Sequence, residues 1–208
     1  MRRFAATERG YAHVRGDTGM RLRQDVVSRA MADVARVGFL PPEQQPFAGN
    51  DVALPIGRGQ TGSQPRTVAD MLRLLDVRPG HRVLDVGSGS GWTTALLGRL
   101  TGPKGSVDGV ELIPELADWG AANVAAYDMD WVRVHHADPE VLGRPDGAPY
   151  DRILVSADGG RLPQVLVDQL AVGGVMVLPV AGVMTRVVRL DDGQQVTTHG
   201  RYVFVPLR

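Results

Sequence analysis

Short apolar runs alternate with amphipathic segments over most of the chain. Five runs have the length of single strands: Arg82–Val86, Ser106–Glu111, Val132–His136, Tyr150–Ala157 and Gly174–Val180. Three segments between them carry apolar residues at helical spacing: Trp92–Leu100, Pro114–Tyr127 and Leu162–Leu170. Uninterrupted Val, Leu and Ile runs separated by helices are typical of a parallel sheet with helices on both faces. The pattern therefore predicts a Rossmann-like, doubly wound α/β fold.

Both ends of the chain depart from this alternation. Thr185–Leu190 and Gln195–Leu207 flank an Asp-Asp-Gly turn and predict an antiparallel C-terminal hairpin, which brings the mostly parallel sheet to seven strands. Upstream, apolar positions recur at helical spacing from Met20 to near Gly38, and Pro65 begins a second helix. The Pro-, Gly- and Gln-rich stretch between these helices, residues 39–62, predicts an extended functional loop.

The length of 208 residues suits one compact domain. Residues 1–19 are polar and weakly patterned, and we expect a mobile arm there. We expect residues 20–208 to form a single domain made of three parts. These parts are an N-terminal helical extension with its loop (20–65), a central core (66–184) and the hairpin (185–208).

Composition excludes several kinds of site. The 23 basic and 23 acidic side chains cancel, so no nucleic-acid-binding surface is indicated. The absence of cysteine excludes disulfides and thiolate catalysis, and it fits a reducing cytoplasm. No segment is typical of a secretory signal or a membrane span. His135 and His136 point to opposite faces of a strand, so we expect no metal site. We further expect a cytoplasmic monomer.

A glycine loop follows the first predicted strand and reads Asp85-Val86-Gly87-Ser88-Gly89-Ser90-Gly91. Glycine lets the backbone turn tightly and approach a ligand at a helix N-terminus. A dinucleotide fingerprint needs a small residue where bulky Trp92 stands, and Asp85 would oppose a pyrophosphate. A carboxylate suits the ammonium of a methionine moiety. The sequence thus predicts S-adenosylmethionine as cofactor, with loop contacts at Asp85, Gly87, Ser88, Gly89 and Gly91.

Two further acids end the next predicted strands. Glu111 is placed to accept hydrogen bonds from ribose hydroxyls, and Asp138 to accept one from the adenine amino group. Strand-end acids can instead cap a helix or face solvent, but their joint occurrence beside the glycine loop favours cofactor binding. We expect the adjacent Leu112 and Pro139 to line the same cofactor pocket.

Four segments resemble protein-L-isoaspartate O-methyltransferases, in the order of that family. They are Leu54–Pro65 (LPIGRGQTGSQP), Arg82–Gly91, Ala148–Val155 and Val203–Leu207. The resemblance implies a methyltransferase domain with a cofactor-binding core at residues 66–184. It also implies transfer of a methyl group from S-adenosylmethionine to the α-carboxyl of L-isoaspartyl residues in damaged proteins, which serves protein repair.

The resemblance also assigns residues to roles. Ser63 matches the active-site serine, whose hydroxyl can donate to the accepting carboxylate, and Gln60 and Thr61 are expected to contact the cofactor. Taken without its neighbours, Ser63 is expected to cap the helix that Pro65 begins; Gln60, Thr61 and Pro65 beside it favour the functional role, and both roles can hold at once. Substrate contacts are expected at six positions: Ile56, Gly57, Ser156, Ala157, Asp158 and Val205.

Several residues depart from the family pattern. Gly62 stands in place of an isoleucine, which is expected to loosen the loop before Ser63; Trp92 replaces a tyrosine, and Pro139 a glycine. Asp158 would bring a negative charge near an anionic substrate unless Arg161 pairs with it. Two alternatives follow. The chain could methylate another carboxylate, in a modified peptide or small metabolite, or it could bind the cofactor without turnover.

Overall fold

A computed structural model describes residues 18–207, with side chains from residue 26 onwards. The first described element is helix α1 (Thr18–Asp33). The expected mobile arm falls mostly on residues 1–17, which lie outside the described residues. Its last two positions, Thr18 and Gly19, belong to α1.

Five helices and nine strands alternate along the described part of the chain. After α1 they are β1 (Leu54–Gly57), β2 (Gln60–Gly62), α2 (Pro65–Leu75), β3 (Arg82–Val86), α3 (Trp92–Thr101), β4 (Ser106–Glu111), α4 (Pro114–Ala125), β5 (Val132–His136), β6 (Tyr150–Val155), α5 (Gln164–Val167), β7 (Leu170–Val180), β8 (Val183–Leu190) and β9 (Gly193–Arg201). Short 3-10 turns lie at Arg36–Phe39, Gln45–Phe47 and Pro145–Gly147.

Seven of the strands form one sheet in the order β5-β4-β3-β6-β7-β8-β9. Strands β3 to β7 are parallel, and β8 and β9 run antiparallel to their neighbours. The predicted doubly wound sheet with an antiparallel C-terminal hairpin is thereby confirmed. The chain moves outward from β3 through β4 to β5, then returns to β6 on the other side of β3. Such a switch point opens a crevice at the carboxyl ends of the strands.

Both faces of the sheet are covered by apolar side chains. One face packs against α1, α2, α3 and part of α4, and the other against α5 and the segments beside it. Neighbouring residues of β3 show the alternation, since Val83 belongs to the first cluster and Leu84 to the second. A smaller third cluster joins the β1–β2 hairpin to α4 through Leu54, Ile56 and Leu116. Among residues 18–207, no helix is both long and apolar enough to cross a membrane.

Three predicted element boundaries are wrong. Helix α1 ends at Asp33 rather than near Gly38, and the Trp92 indole donates to the free carbonyl of Val34 beyond its end, at 3.0 Å. The predicted helix 162–170 is the single turn α5, because the chain already enters β7 at Leu170. Strand β9 ends at Arg201, and residues 203–207 leave the hairpin to run beside residue 158.

The stretch 39–62 also has more structure than its composition predicts. It contains a 3-10 turn and the β1–β2 hairpin, in which Leu54 pairs with Gly62 and Pro55 with Thr61. The hairpin turns at Arg58 and Gly59, both with positive φ. The predicted extended loop is therefore an ordered hairpin, and Ser63 directly follows its second strand.

Candidate active site

A cavity of about 810 Å³ lies at the carboxyl ends of β3, β4 and β6, where the topology predicts a ligand site. One part of its wall, here called the glycine-loop half, comes from residues 86–90, 92–93, 110–113 and 137–143. The other part, here called the Ser63 half, comes from residues 56, 60–63, 156–165 and 205–207, without residues 158 and 160. Within the described residues, no group of three His, Cys, Asp or Glu side chains could hold a metal ion.

Backbone amides of the glycine loop are engaged within the protein. The amides of Gly87 and Ser88 donate to the carbonyl of Val110, at 2.9 and 3.1 Å. The amide of Gly89 donates to Glu111 Oε2 at 2.9 Å. A pyrophosphate would need such amides as donors. Their engagement therefore argues against a dinucleotide, as the sequence predicts.

Glu111 ends β4 with its carboxylate fixed on the cavity wall. Oε1 accepts from the amide of Ile113 at 2.9 Å, and the residue is 8% exposed. Each oxygen retains a lone pair that can accept a hydrogen bond from a hydroxyl group. Asp138 also lies on the wall and accepts from the amide of Glu140 at 2.9 Å through Oδ1. Leu112 and Pro139 line the same half.

Asp85 does not reach the cavity, which corrects the predicted contact with a cofactor ammonium. Its Oδ2 accepts from the hydroxyls of Thr93 and Thr94, both at 2.7 Å, and the residue is fully buried beneath the loop. Oδ1 has no hydrogen-bond partner among the described residues. Burial raises the pKa of Asp85 to about 6, and the nearby charge of Glu111 acts in the same direction.

Gly91 is also absent from the cavity wall. Its φ is +89°, and a Cβ atom there would lie 2.8 Å from the carbonyl oxygen of Gly120. This glycine therefore permits close packing of the loop on α4, and the predicted cofactor contact at Gly91 is not seen.

Ser88 lines the cavity, but its hydroxyl does not face the ligand space. Its Oγ is buried and has no hydrogen-bond partner among the described residues. An unsatisfied buried hydroxyl costs free energy in the folded protein. The Glu111 carboxylate, with Gly87, Ser88 and Gly89 beside it on the wall, fits a nucleoside with hydroxyl groups.

Gln60, Thr61 and Ser63 line the other half, together with Ile56. The Ser63 hydroxyl makes no hydrogen bond with any described residue. It does not cap α2, because Oδ1 of Asp51 accepts from the amide of Arg66 at 2.9 Å instead. The capping interpretation of Ser63 is therefore wrong, and its hydroxyl is available to a ligand.

The expected loosening at Gly62 is also wrong. A Cβ atom at this position would lie 3.3 Å from Ile56 Cγ2 and 3.7 Å from Leu40 Cδ2, so neighbouring side chains already fill the space. The carbonyl of Gly62 accepts from Arg36 Nη2 at 3.0 Å. Gly57, predicted to touch substrate, lies at the exposed hairpin turn with φ +91° and not on the wall.

Asp158 faces away from the cavity. Its Oδ1 accepts from the amides of Gly160 and Ala181, both at 2.8 Å, and its Oδ2 from that of Gly182 at 2.7 Å. The hydrogen bond from the Gly160 amide, aided by the others, lowers the pKa of Asp158. The predicted contact with substrate is therefore wrong, as is the pairing with Arg161.

The backbone of Asp158 holds the C-terminal segment. Its amide donates to the carbonyl of Val205 at 2.8 Å, and its carbonyl accepts from the amide of Leu207 at 2.8 Å. Val205 lines the cavity, and so do Ser156 and Ala157, for which substrate contact stays a prediction. Arg161 is the only basic side chain on this wall within the described residues, and it has no ion pair there.

Two apolar residues of the cavity wall are not predicted from the sequence. Val141 and Val165 lie on the wall at 38% and 51% exposure. Periodicity would place both against a core, so only their exposure beside a cavity marks them as ligand-facing.

A family model described as protein-L-isoaspartate(D-aspartate) O-methyltransferase (PCMT) matches residues 15–208. The chain belongs to this family. A protein-L-isoaspartate O-methyltransferase of Methanopyrus kandleri is 44% identical over 192 residues, covering 89% of this chain and 84% of the relative. One from Ignicoccus hospitalis is 39% identical over 191 residues, covering 89% and 90%.

Solved structures agree with this membership. A Plasmodium falciparum structure, described as a PCMT in complex with S-adenosyl-L-homocysteine, superposes with a TM-score of 0.78 at 26% identity, covering 88% of this chain and 90% of that chain. A second protein-L-isoaspartate O-methyltransferase has a TM-score of 0.80 at 23% identity, covering 91% and 64%, and shows the shared fold.

Proposed function

We propose that this enzyme transfers a methyl group from S-adenosylmethionine to the α-carboxyl of L-isoaspartyl residues in damaged proteins. Membership of the PCMT family supports the reaction. The observation that carries the assignment is the unpartnered Ser63 hydroxyl, which shares one cavity with the glycine loop and Glu111.

The glycine-loop half of the cavity would hold the cofactor. Glu111 would accept hydrogen bonds from the ribose hydroxyls, Asp138 would accept one from the adenine amino group, and Gly87, Ser88 and Gly89 would line the pocket beside them. Gln60 and Thr61, from the opposite wall, and Leu112 and Pro139 complete the pocket. S-adenosylmethionine supplies an electrophilic methyl group. The chain must orient this group and keep water away from it.

Accepting a methyl group requires little proton chemistry. An α-carboxylate is ionised near neutral pH, so no general base is needed. The Ser63 hydroxyl would donate to the carboxylate and hold one oxygen toward the methyl carbon. Arg161 would add a positive charge at the same wall, which favours an anionic acceptor.

The peptide around the isoaspartyl residue would lie along Ile56, Ser156, Ala157 and Val205. The methyl ester then cyclises to a succinimide, which hydrolyses partly to normal aspartate and so repairs the chain. We place this reaction in the cytoplasm and in a monomer, consistent with the absence of cysteine.

A paired-peptide assay tests the proposal. The protein is incubated with S-adenosylmethionine labelled in the methyl group, and with an isoaspartyl peptide or its normal aspartyl twin. We expect base-labile label only on the isoaspartyl peptide. Equal labelling of the twins, or none, would refute the assignment. Methylation of a small carboxylate but of neither peptide would favour the alternative function, methylation of another carboxylate. Arg161 on the cavity wall is the observation that supports this alternative.

A further inference from the structure

Arg36 is a buried cation that lies outside the cavity wall. It is 6% exposed, and its terminal nitrogens donate to three backbone carbonyls of the segment that leads to Ser63. Nη1 donates to Asn50 at 3.2 Å, and Nη2 donates to Val52 at 2.9 Å and to Gly62 at 3.0 Å. Burying a charge is costly, so three carbonyl contacts at one segment indicate a specific task.

The same guanidinium joins this segment to the glycine-loop half. It lies over the ring of Trp92, 5.6 Å from the centroid, and Trp92 is the first residue of α3 and lines the cavity. Burial lowers the pKa of Arg36, and the charge of Asp51 opposes that shift. Arg36 thus links Gly62, one residue before Ser63, to the residue that follows the glycine loop.

Asp51 holds the other side of Ser63. Its Oδ2 accepts from the side chain of Gln64 at 3.0 Å, and its Oδ1 accepts from the amide of Arg66 at 2.9 Å. These bonds, that from the Arg66 amide foremost, lower the pKa of Asp51. The residues immediately before and after Ser63 are therefore both tied down, while the Ser63 hydroxyl keeps its donor for a ligand.

We propose that Arg36 and Asp51 are positioning residues that together fix Ser63 relative to Trp92 and the glycine loop. This inference rests on the proposed function for its kinetic consequence. A displaced serine would lose at most the rate that its hydroxyl contributes, about 30-fold, because the acceptor oxygen must stand in line with the transferred methyl group.

Arg152 provides a matched control. It is also a buried arginine, 8% exposed, that donates to backbone carbonyls, of Asp76 at 3.0 Å and of Asp151 at 2.7 Å. It lies in β6, outside the cavity wall. Arg36→Met and Arg152→Met should therefore both lower stability, and only Arg36→Met should impair Ser63.

The kinetic test is a double-mutant cycle of Arg36→Met with Ser63→Ala on the isoaspartyl peptide. We expect Arg36→Met to lower kcat by about tenfold or more, with Arg36→Lys intermediate. We also expect the Kd for S-adenosyl-L-homocysteine to change less than about threefold, and the loss to nearly vanish in the Ser63→Ala background. Additive losses, or an equal loss in Arg152→Met, would overturn the proposal.

Hydrogen exchange of residues 54–66 provides a readout independent of turnover. Asp51→Ala, at an exposed position where folding should not be impaired, and Arg36→Met should both raise exchange in this segment, and Arg152→Met should not. Unchanged exchange would refute the proposal even if peptides are methylated. Raised exchange without methylation of any isoaspartyl peptide would refute only the proposed function.

Discussion

The glycine-loop half of the cavity rests on strand ends, whereas the Ser63 half rests on loops tied from a distance. Glu111 ends β4 and binds amides of Gly89 and Ile113, the second of them two residues away along the chain. Ser63 depends on Arg36, a residue 27 positions upstream whose hydrogen bond reaches the neighbouring Gly62, 26 positions away. One half is therefore built on the ends of sheet strands, and the other on a hairpin and loops that side chains of other segments hold.

This difference has a functional consequence. A half built on strands should keep its shape when one side chain is changed, and lose only the contact that the side chain makes. In a half held by remote residues, the site residues should shift when any of the supporting hydrogen bonds is removed. Substitutions in the two halves should then affect different steps.

The largest effect is expected at Glu111. Glu111→Gln leaves one oxygen for two backbone amides and removes the charge that ribose hydroxyls would meet, so we expect about 100-fold weaker binding of S-adenosyl-L-homocysteine. Titration calorimetry measures the change. Asp130→Asn, an exposed acid before β5, is the control and should bind normally. A change in the KM for peptide instead of in nucleoside binding would show that the two halves are not separable.

Ser63→Ala should act on the other half alone. Loss of a donor to an anionic acceptor is expected to lower kcat/KM for the isoaspartyl peptide about 30-fold. Binding of S-adenosyl-L-homocysteine should stay within about twofold of the wild type. Steady-state kinetics and calorimetry test both statements, with Ser106→Ala at the start of β4 as control. Full activity of Ser63→Ala would remove Ser63 from the site.

The same division separates what could be predicted from sequence. The fold, the glycine loop and Glu111 follow local rules, since strand periodicity and a turn at a strand end determine where these groups lie. Asp85 is predicted to face the cavity because it precedes the glycine loop, and Asp158 because of the family resemblance. Their side chains instead accept hydrogen bonds from Thr93 and Thr94 and from the amide of Gly182, and no local pattern reveals which side of a loop a carboxylate faces.

Asp158→Ala tests a remote tie of the Ser63 half. The loss of three amide contacts to a carboxylate should lower the free energy of unfolding by about 2 kcal/mol near neutral pH. Because the pKa of Asp158 is lowered in the folded state, this stabilisation is present above pH 4, near the unfolded value, and fades as the pH falls further. Urea denaturation measures it, with exposed Asp168→Ala as control. The KM for peptide should also rise, because the backbone that binds Val205 loses the side-chain hydrogen bonds that fix it; an unchanged KM would separate the Asp158 side chain from the site.

The smallest effect is expected at Asp85. Its contribution to stability should change with pH in the direction opposite to that of Asp158. The Asp85 pKa of about 6 exceeds the ordinary value of 3.8, so the folded protein holds a proton that the unfolded chain releases. Stability should therefore fall as the pH rises from about 4, by about 1 kcal/mol between pH 5 and pH 8 from this group.

Asp85→Asn should keep the hydroxyl bonds of Thr93 and Thr94 and remove this pH dependence. Urea unfolding of the wild type and the variant at pH 5 and pH 8 measures the difference. Equal pH dependence in both proteins would mean that the Asp85 carboxylate is ionised and satisfied in the folded state. Its unpartnered Oδ1 would then not be a cost carried by the free protein. A weaker pH dependence of the unfolding free energy in the variant would show that buried Asp85 destabilises the glycine-loop half when it is ionised. The Ser63 half, which ionised groups hold in place, has no such cost.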